Sequence, residues 1–207
     1  MPGVAFVERY RPLPALRGLA AGLALVVLAR IGWEPRIVGD AVGTTPIFNW
    51  LLWGYGVPAA AFWTAGHLLR KRADDAAART VDVLAIVFTV LLAGLEIRHL
   101  VKDGDVYRPA GRLAEIGLQV SSWLALAIGL ERLRIRTRSI VHDIGALVMA
   151  ALALAGIVLG LAGFANPLIT GDAVGGPLVN LVLLGYGLPA VLATTLALVA
   201  RATRPLA

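Results

Sequence analysis

The chain has 207 residues, of which 58% are hydrophobic and 15% charged, against roughly 25% charged in an average soluble domain. With a mean hydropathy of +0.80, it has too little polar surface to cover a water-soluble globule, and it reads as an integral membrane protein. The net charge of +6 fits the arginine excess of membrane-protein loops better than a nucleic-acid footprint, and the absence of cysteine excludes disulfides, Fe–S clusters and thiolate zinc sites.

A membrane span needs about 20 mostly apolar residues, and six stretches qualify. The first, 14–33, follows Arg9, Arg11 and Arg17, the outline of a signal peptide. Its exit, Leu28-Ala29-Arg30-Ile31-Gly32-Trp33, offers no small-x-small cleavage site, so it is expected to be retained. The second, 47–69, contains Gly54-Tyr55-Gly56-Val57-Pro58, which weakens a helical hydrogen-bond ladder. The third, 80–101, is the least apolar, with Asp82 and Glu96 bounding its uncharged middle. The fourth, 113–130, the fifth, 139–164, and the sixth, 178–200, complete an all-α, polytopic fold in one membrane domain spanning 1–207.

With six spans both termini share a side. That side collects thirteen of the nineteen Lys and Arg residues and the opposite side six. The excess places both termini in the cytoplasm.

The chain repeats itself. Gly39-Asp40-Ala41-Val42-Gly43 recurs as Gly171-Asp172-Ala173-Val174-Gly175. The segment Asn49-Trp50-Leu51-Leu52-Trp53-Gly54-Tyr55-Gly56-Val57-Pro58-Ala59 is echoed by Asn180-Leu181-Val182-Leu183-Leu184-Gly185-Tyr186-Gly187-Leu188-Pro189-Ala190. Helices 1–2 thus correspond to helices 5–6, and the repeating unit is four helices long. An even number makes the repeat parallel rather than inverted. Residues 14–138 form one unit and 139–207 the first half of a second.

These motifs, together with Leu95-Glu96-Ile97-Arg98-His99, resemble a family of large bacterial multi-span predicted inner-membrane proteins, a domain of unknown function. The resemblance covers nearly the whole chain, which would be a short member or fragment of that family. It implies a multi-span protein of the bacterial inner membrane and brings no activity with it.

Candidate site residues follow from the broken helices. Gly/Pro-interrupted spans at matching positions of repeats point to a substrate site in transporters, although glycines also permit close helix packing. Tyr55, Pro58, Tyr186 and Pro189 are therefore ligand or helix-packing candidates. Asn49 and Asn180 begin the same helices and suit capping, helix-to-helix hydrogen bonding or ligand contact. Glu96, Arg98, Arg112 and Glu115 cluster at the third hairpin as a candidate ion pair or proton contact, with Arg98 or Arg112 able to reach Glu115. Asp40 and Asp172 read as turn residues, and the Gly18/Gly22 and Gly156/Gly160 pairs as close-packing faces. No Ser/His/Asp set, metal-ligand spacing or phosphate loop is present, so neither an enzyme nor a cofactor is expected.

The expected partners are the lipid bilayer and other membrane subunits or self, with no nucleic acid. Two functions fit: a transport or envelope component contacting a small or lipid-linked molecule at helices 2 and 6, and a structural scaffold or accessory subunit of a larger membrane complex.

Overall fold

The computed structural model of the chain describes residues 1–33, 42–43, 45–106, 112–176 and 180–204, without the side chain of Arg112. Asp40 therefore lies outside the described residues. The described chain is helical, its β-type pairing being a single antiparallel bridge between Gly175 and Asn180. It divides into two compact units, Met1–Glu96 and Ile97–Ala207.

The first unit opens with a short helix that sequence reading did not anticipate, α1 (Pro2–Tyr10), followed by α2 (Pro14–Trp33). A π-helical turn, Leu52–Gly56, leads into α3 (Val57–Arg70). The turn follows from the local sequence. Pro58 has no N–H for the carbonyl of Gly54, and the ladder shifts so that the Val57 N–H donates to the Leu52 carbonyl. Next comes α4 (Ala76–Val101), which the division between units crosses after Glu96. Asp75 caps it, its Oδ1 accepting from the Ala78 N–H at 3.0 Å. The helix thus starts four residues before the expected span, which places Asp82 inside it.

Within this unit α3 and α4 run side by side in opposite directions. Asn49 meets Glu96, Phe62 stacks edge-on against Phe88 at 4.9 Å, Trp63 donates to Thr89 at 3.0 Å, and Arg70 pairs with Asp82. Gly66 is required at this crossing, since a Cβ there would collide with Asp82 Oδ1.

The second unit contains α5 (Arg112–Thr137), α6 (Ile140–Ala155) running on into a π-helical stretch (Gly156–Phe164), and the short α7 (Pro167–Thr170). A second π-helical turn, Leu183–Gly187, leads into α8 (Leu188–Thr203). Helix α5 is longer than the expected 113–130 span, so Glu131 and Arg134 belong to helix rather than loop. It packs on α6, on α8 and on both π-helical segments. Leu113, Val120, Leu124, Ala153 and Leu161 form the core. Closest approach is at Gly117, where a Cβ would meet the Gly185 backbone at 2.5 Å.

Five helices among the described residues are long and apolar enough to cross a membrane: Pro14–Trp33, Ala76–Val101, Leu113–Thr137, Ile140–Thr170 and Leu183–Thr203. The expected second span is helical over 50–70 but does not join them. Two Trp, Tyr55, Pro58, Trp63 and His67 dilute its apolar character. The close-packing reading of the glycine pairs holds for only one of them. Gly156 and Gly160 abut Val120, Trp123 and Ile116, whereas Gly18 and Gly22 have nothing within 4 Å of a Cβ.

Candidate functional site

The broken helix of the first unit borders a cavity of about 400 Å³ lined by Val27, Arg30, Ile31, Trp50, Trp53, Gly54, Pro58 and Phe88. Its walls are aromatic and aliphatic, and one cation stands among them. Arg30 is exposed near the Trp33 end of α2, and no carboxylate pairs with it among the described residues. The π-helical turn positions Trp53 and Gly54, and the proline that causes the turn is itself part of the wall. A cation beside indole faces over an apolar cavity suits an anionic head carried on an apolar body.

Near this cavity Asn49 does two jobs. Its Oδ1 accepts from the Leu51 N–H at 2.8 Å, capping the helix, while its Nδ2 donates to Glu96 Oε2 at 3.0 Å. The same carboxylate oxygen accepts from the Ile47 N–H at 3.3 Å. Ile47 is β-branched yet has φ of 67°, a strained conformation that marks this turn. The other oxygen, Glu96 Oε1, is buried with no hydrogen-bond partner. Tyr55 is also buried and lies 6.2 Å from Phe88 between ring centroids. Asn49 and Tyr55 both face α4, but their partners are eight residues apart, about 12 Å along the helix. They do not converge on one point.

In the second unit Asn180 Oδ1 accepts from the Leu183 N–H at 3.0 Å, again as a cap. Tyr186 turns differently from Tyr55: its hydroxyl donates to the Leu161 carbonyl at 2.7 Å, inside the π-helical stretch. Pro189 is buried and Pro58 half-buried. Asp172 is exposed beyond α7, which ends on Gly171 in the left-handed conformation (φ 70°).

The four residues of the candidate ion pair separate. Glu96 goes to Asn49 and Ile47, as above. Glu115 is approached by Arg98 at 3.6 Å and by Lys102 at 3.4 Å, Lys102 being almost wholly buried. Arg98 Nε also donates to the Val106 carbonyl at 3.1 Å. Lys102 is the member that sequence reading missed. Its spacing gives the signal, since it lies four residues after Arg98 on the same helix face.

Two further charge clusters were read from sequence only as headgroup-facing arginines. Arg17 is nearly buried, bonded to Asp75 at 2.6 Å and 2.8 Å, to Glu8 at 3.2 Å, and to the carbonyls of Leu69 and Ala73. The Arg17 hydrogen bonds hold the Asp75 carboxyl below its ordinary value, against the opposing effect of burial. Glu131, also buried, gathers Arg134 at 2.7 Å, Arg204 at 2.9 Å and the Thr203 hydroxyl at 2.6 Å, and Arg204 reaches on to Asp143 at 2.6 Å. Its bonds to Glu131 raise the Arg204 guanidinium further above its already high value. Each cluster ties the last turn of a broken helix to neighbouring elements.

No curated protein and no solved structure matches the chain. A family model described as a predicted membrane protein, DUF2339, matches residues 2–207, so the chain belongs to that family of membrane proteins of unknown function.

Proposed function

We propose that the chain is a non-catalytic component of the bacterial inner membrane whose first unit holds the head of an anionic lipid or lipid-linked molecule, in a transport or envelope role. Arg30 carries this reading: an exposed cation, unpaired among the described residues, beside Trp50, Trp53 and Pro58 on a cavity of apolar wall. In this reading the helical run 50–70 is a sixth span and both termini are cytoplasmic. The arginine-to-headgroup contact would supply selectivity, and the aromatic wall the attraction for the apolar body.

A test uses the tryptophans as reporters. In vesicles whose phosphatidylglycerol carries brominated chains, tryptophan fluorescence should be quenched more than in vesicles with brominated phosphatidylcholine at equal total bromine. Arg30→Gln should erase the difference. Equal quenching by both lipids in the unaltered protein would sink the reading.

The internal repeat belongs to the same proposal, and paired local features support it. Gly43 and Gly175 have φ of 89° and 92°. The Trp50 N–H donates to Val42 at 3.1 Å and the Leu181 N–H to Val174 at 2.9 Å. Asn49 and Asn180 are both caps, and the π-helical turns at Leu52–Gly56 and Leu183–Gly187 stand at the same offset.

The alternative role, a scaffold or accessory subunit, draws on an open apolar groove in the second unit, lined by Val174, Asn180, Leu184, Leu188 and Val191 among others.

A further inference from the structure

That groove has a volume of about 800 Å³ and is almost entirely apolar. Val191 is 65% exposed and Leu183 57%. Such a face on a broken helix admits lipid chains or another helix, and the first unit distinguishes between them. There the matching face carries α4. Asn49 donates to Glu96, Leu92 packs over Gly56 at 3.4 Å from where a Cβ would stand, and Arg70 pairs with Asp82. At the repeat offset the corresponding residues are Asn180, Gly187 and Arg201. Asn180 and Gly187 line the groove, and Arg201 is exposed near the end of α8. Among the described residues Asn180 Nδ2 has no acceptor and Arg201 no carboxylate.

We infer that the groove is a docking site for a membrane-spanning helix of another polypeptide, antiparallel to α8, with two acidic residues fourteen positions apart. The earlier acid faces Arg201 and the later one faces Asn180, as Asp82 and Glu96 face Arg70 and Asn49. Fourteen residues rise about 21 Å along a helix, which spans most of the hydrocarbon core. A large aliphatic residue four positions before the second acid lies on the same face and packs over Gly187. This charge pattern selects a helix over lipid, because acyl chains supply no acceptor for Asn180 and no partner for Arg201. The inference rests on the repeat.

The chain has no cysteine of its own, so a synthetic α4 peptide (Ala76–Val101) carrying Leu92→Cys is a clean probe against full-length Gly187→Cys protein in lipid nanodiscs. Disulfide adduct is expected, and reduced about tenfold, the equivalent of one strong contact, by Asp82→Leu with Glu96→Leu in the peptide. Arg201→Gln in the protein should reduce it in the same direction. Adduct that is indifferent to these changes would reduce the groove to a lipid-facing surface and overturn the inference. So would disulfide-linked homodimers of Gly187→Cys formed without peptide, because a second copy would then occupy the groove. A separate Asn49→Cys/Glu96→Cys pair in the full chain checks the template. If that disulfide forms and the peptide adduct does not, the docking inference fails while the α4 packing that it copies stands. If neither forms, the first-unit template fails as well.

Discussion

The two units put the same local motif among different neighbours. In the first, the broken helix has α4 along one face and only the nine-residue α1 against its far end. In the second, the broken helix has the 26-residue α5 against it, and the face that bears α4 in the first unit is an open groove. The motif sets the backbone in both places, with a cap, a π-helical turn and a proline. The neighbours then decide what each side chain does. Tyr55 packs on an aromatic ring supplied by α4, whereas Tyr186 donates to a carbonyl of its own unit. Local sequence dictates helix geometry here, and side-chain role is dictated by whatever lies across the face.

The anchors make the sharpest contrast. Arg72 and Arg204 are 132 positions apart, and each approaches a buried glutamate on the preceding short or long helix, at 4.0 Å from Glu8 and 2.9 Å from Glu131. Glu131 is the sole carboxylate of its cluster with a buried side chain and holds two arginines and a hydroxyl. Glu131→Ala should therefore cost about 3–5 kcal/mol, the range for stranding buried charge, in reversible unfolding followed by circular dichroism in mixed micelles. Glu8→Ala should cost less, because Arg17 keeps Asp75 and two carbonyls. Equal losses would break the contrast between the anchors.

Packing density should separate the units next. Gly117→Ala forces α5 away from the Gly185 backbone and should cost about 1–3 kcal/mol. Gly18→Ala in α2 meets nothing and should stay within about 0.5 kcal/mol. The same unfolding measurement decides, and a costly Gly18→Ala would mean that α2 is packed more closely than described.

The smallest expected effect is on acid sensitivity, and it belongs to the first anchor. The folded protein holds the Asp75 carboxyl below its ordinary value, so its stabilisation is complete above about pH 4. It is lost as the pH falls through the depressed value, where the folded state must take up that proton. Asp75→Asn should flatten this part of a melting-temperature profile between neutral and strongly acidic pH. An unchanged profile would show that Arg17 holds the anchor without Asp75.

Much of this was legible in the sequence, because apolar length and proline chemistry act locally. The five long apolar helices and both helix breaks follow from composition and from Pro58 and Pro189. What was not legible depends on pairs distant in the chain. Asn49 and Glu96 are 47 positions apart, and only their shared depth at one end of neighbouring helices hinted at a contact. Arg17 was read as a headgroup-facing charge because nothing nearby in sequence announces Asp75. Helix α1 is too short to register by apolar length, and the 50–70 run lost apolar character to the aromatic and polar residues that shape its cavity wall.

Arg17 also has a history during synthesis that its folded environment conceals. Its partner Asp75 follows it by 58 positions, and the carbonyls of Leu69 and Ala73 by 52 and 56. While the ribosome is still making α3, those groups do not yet exist, and Arg17 is a cation with only Glu8 at hand. In that interval it contributes to holding its end of α2 on the side where the protein is made. When Asp75 emerges, the same charge is withdrawn from the membrane surface and becomes a rivet joining α2 to the end of α3. One guanidinium thus serves first as an orienting charge and then as a fastening, in an order fixed by the direction of translation.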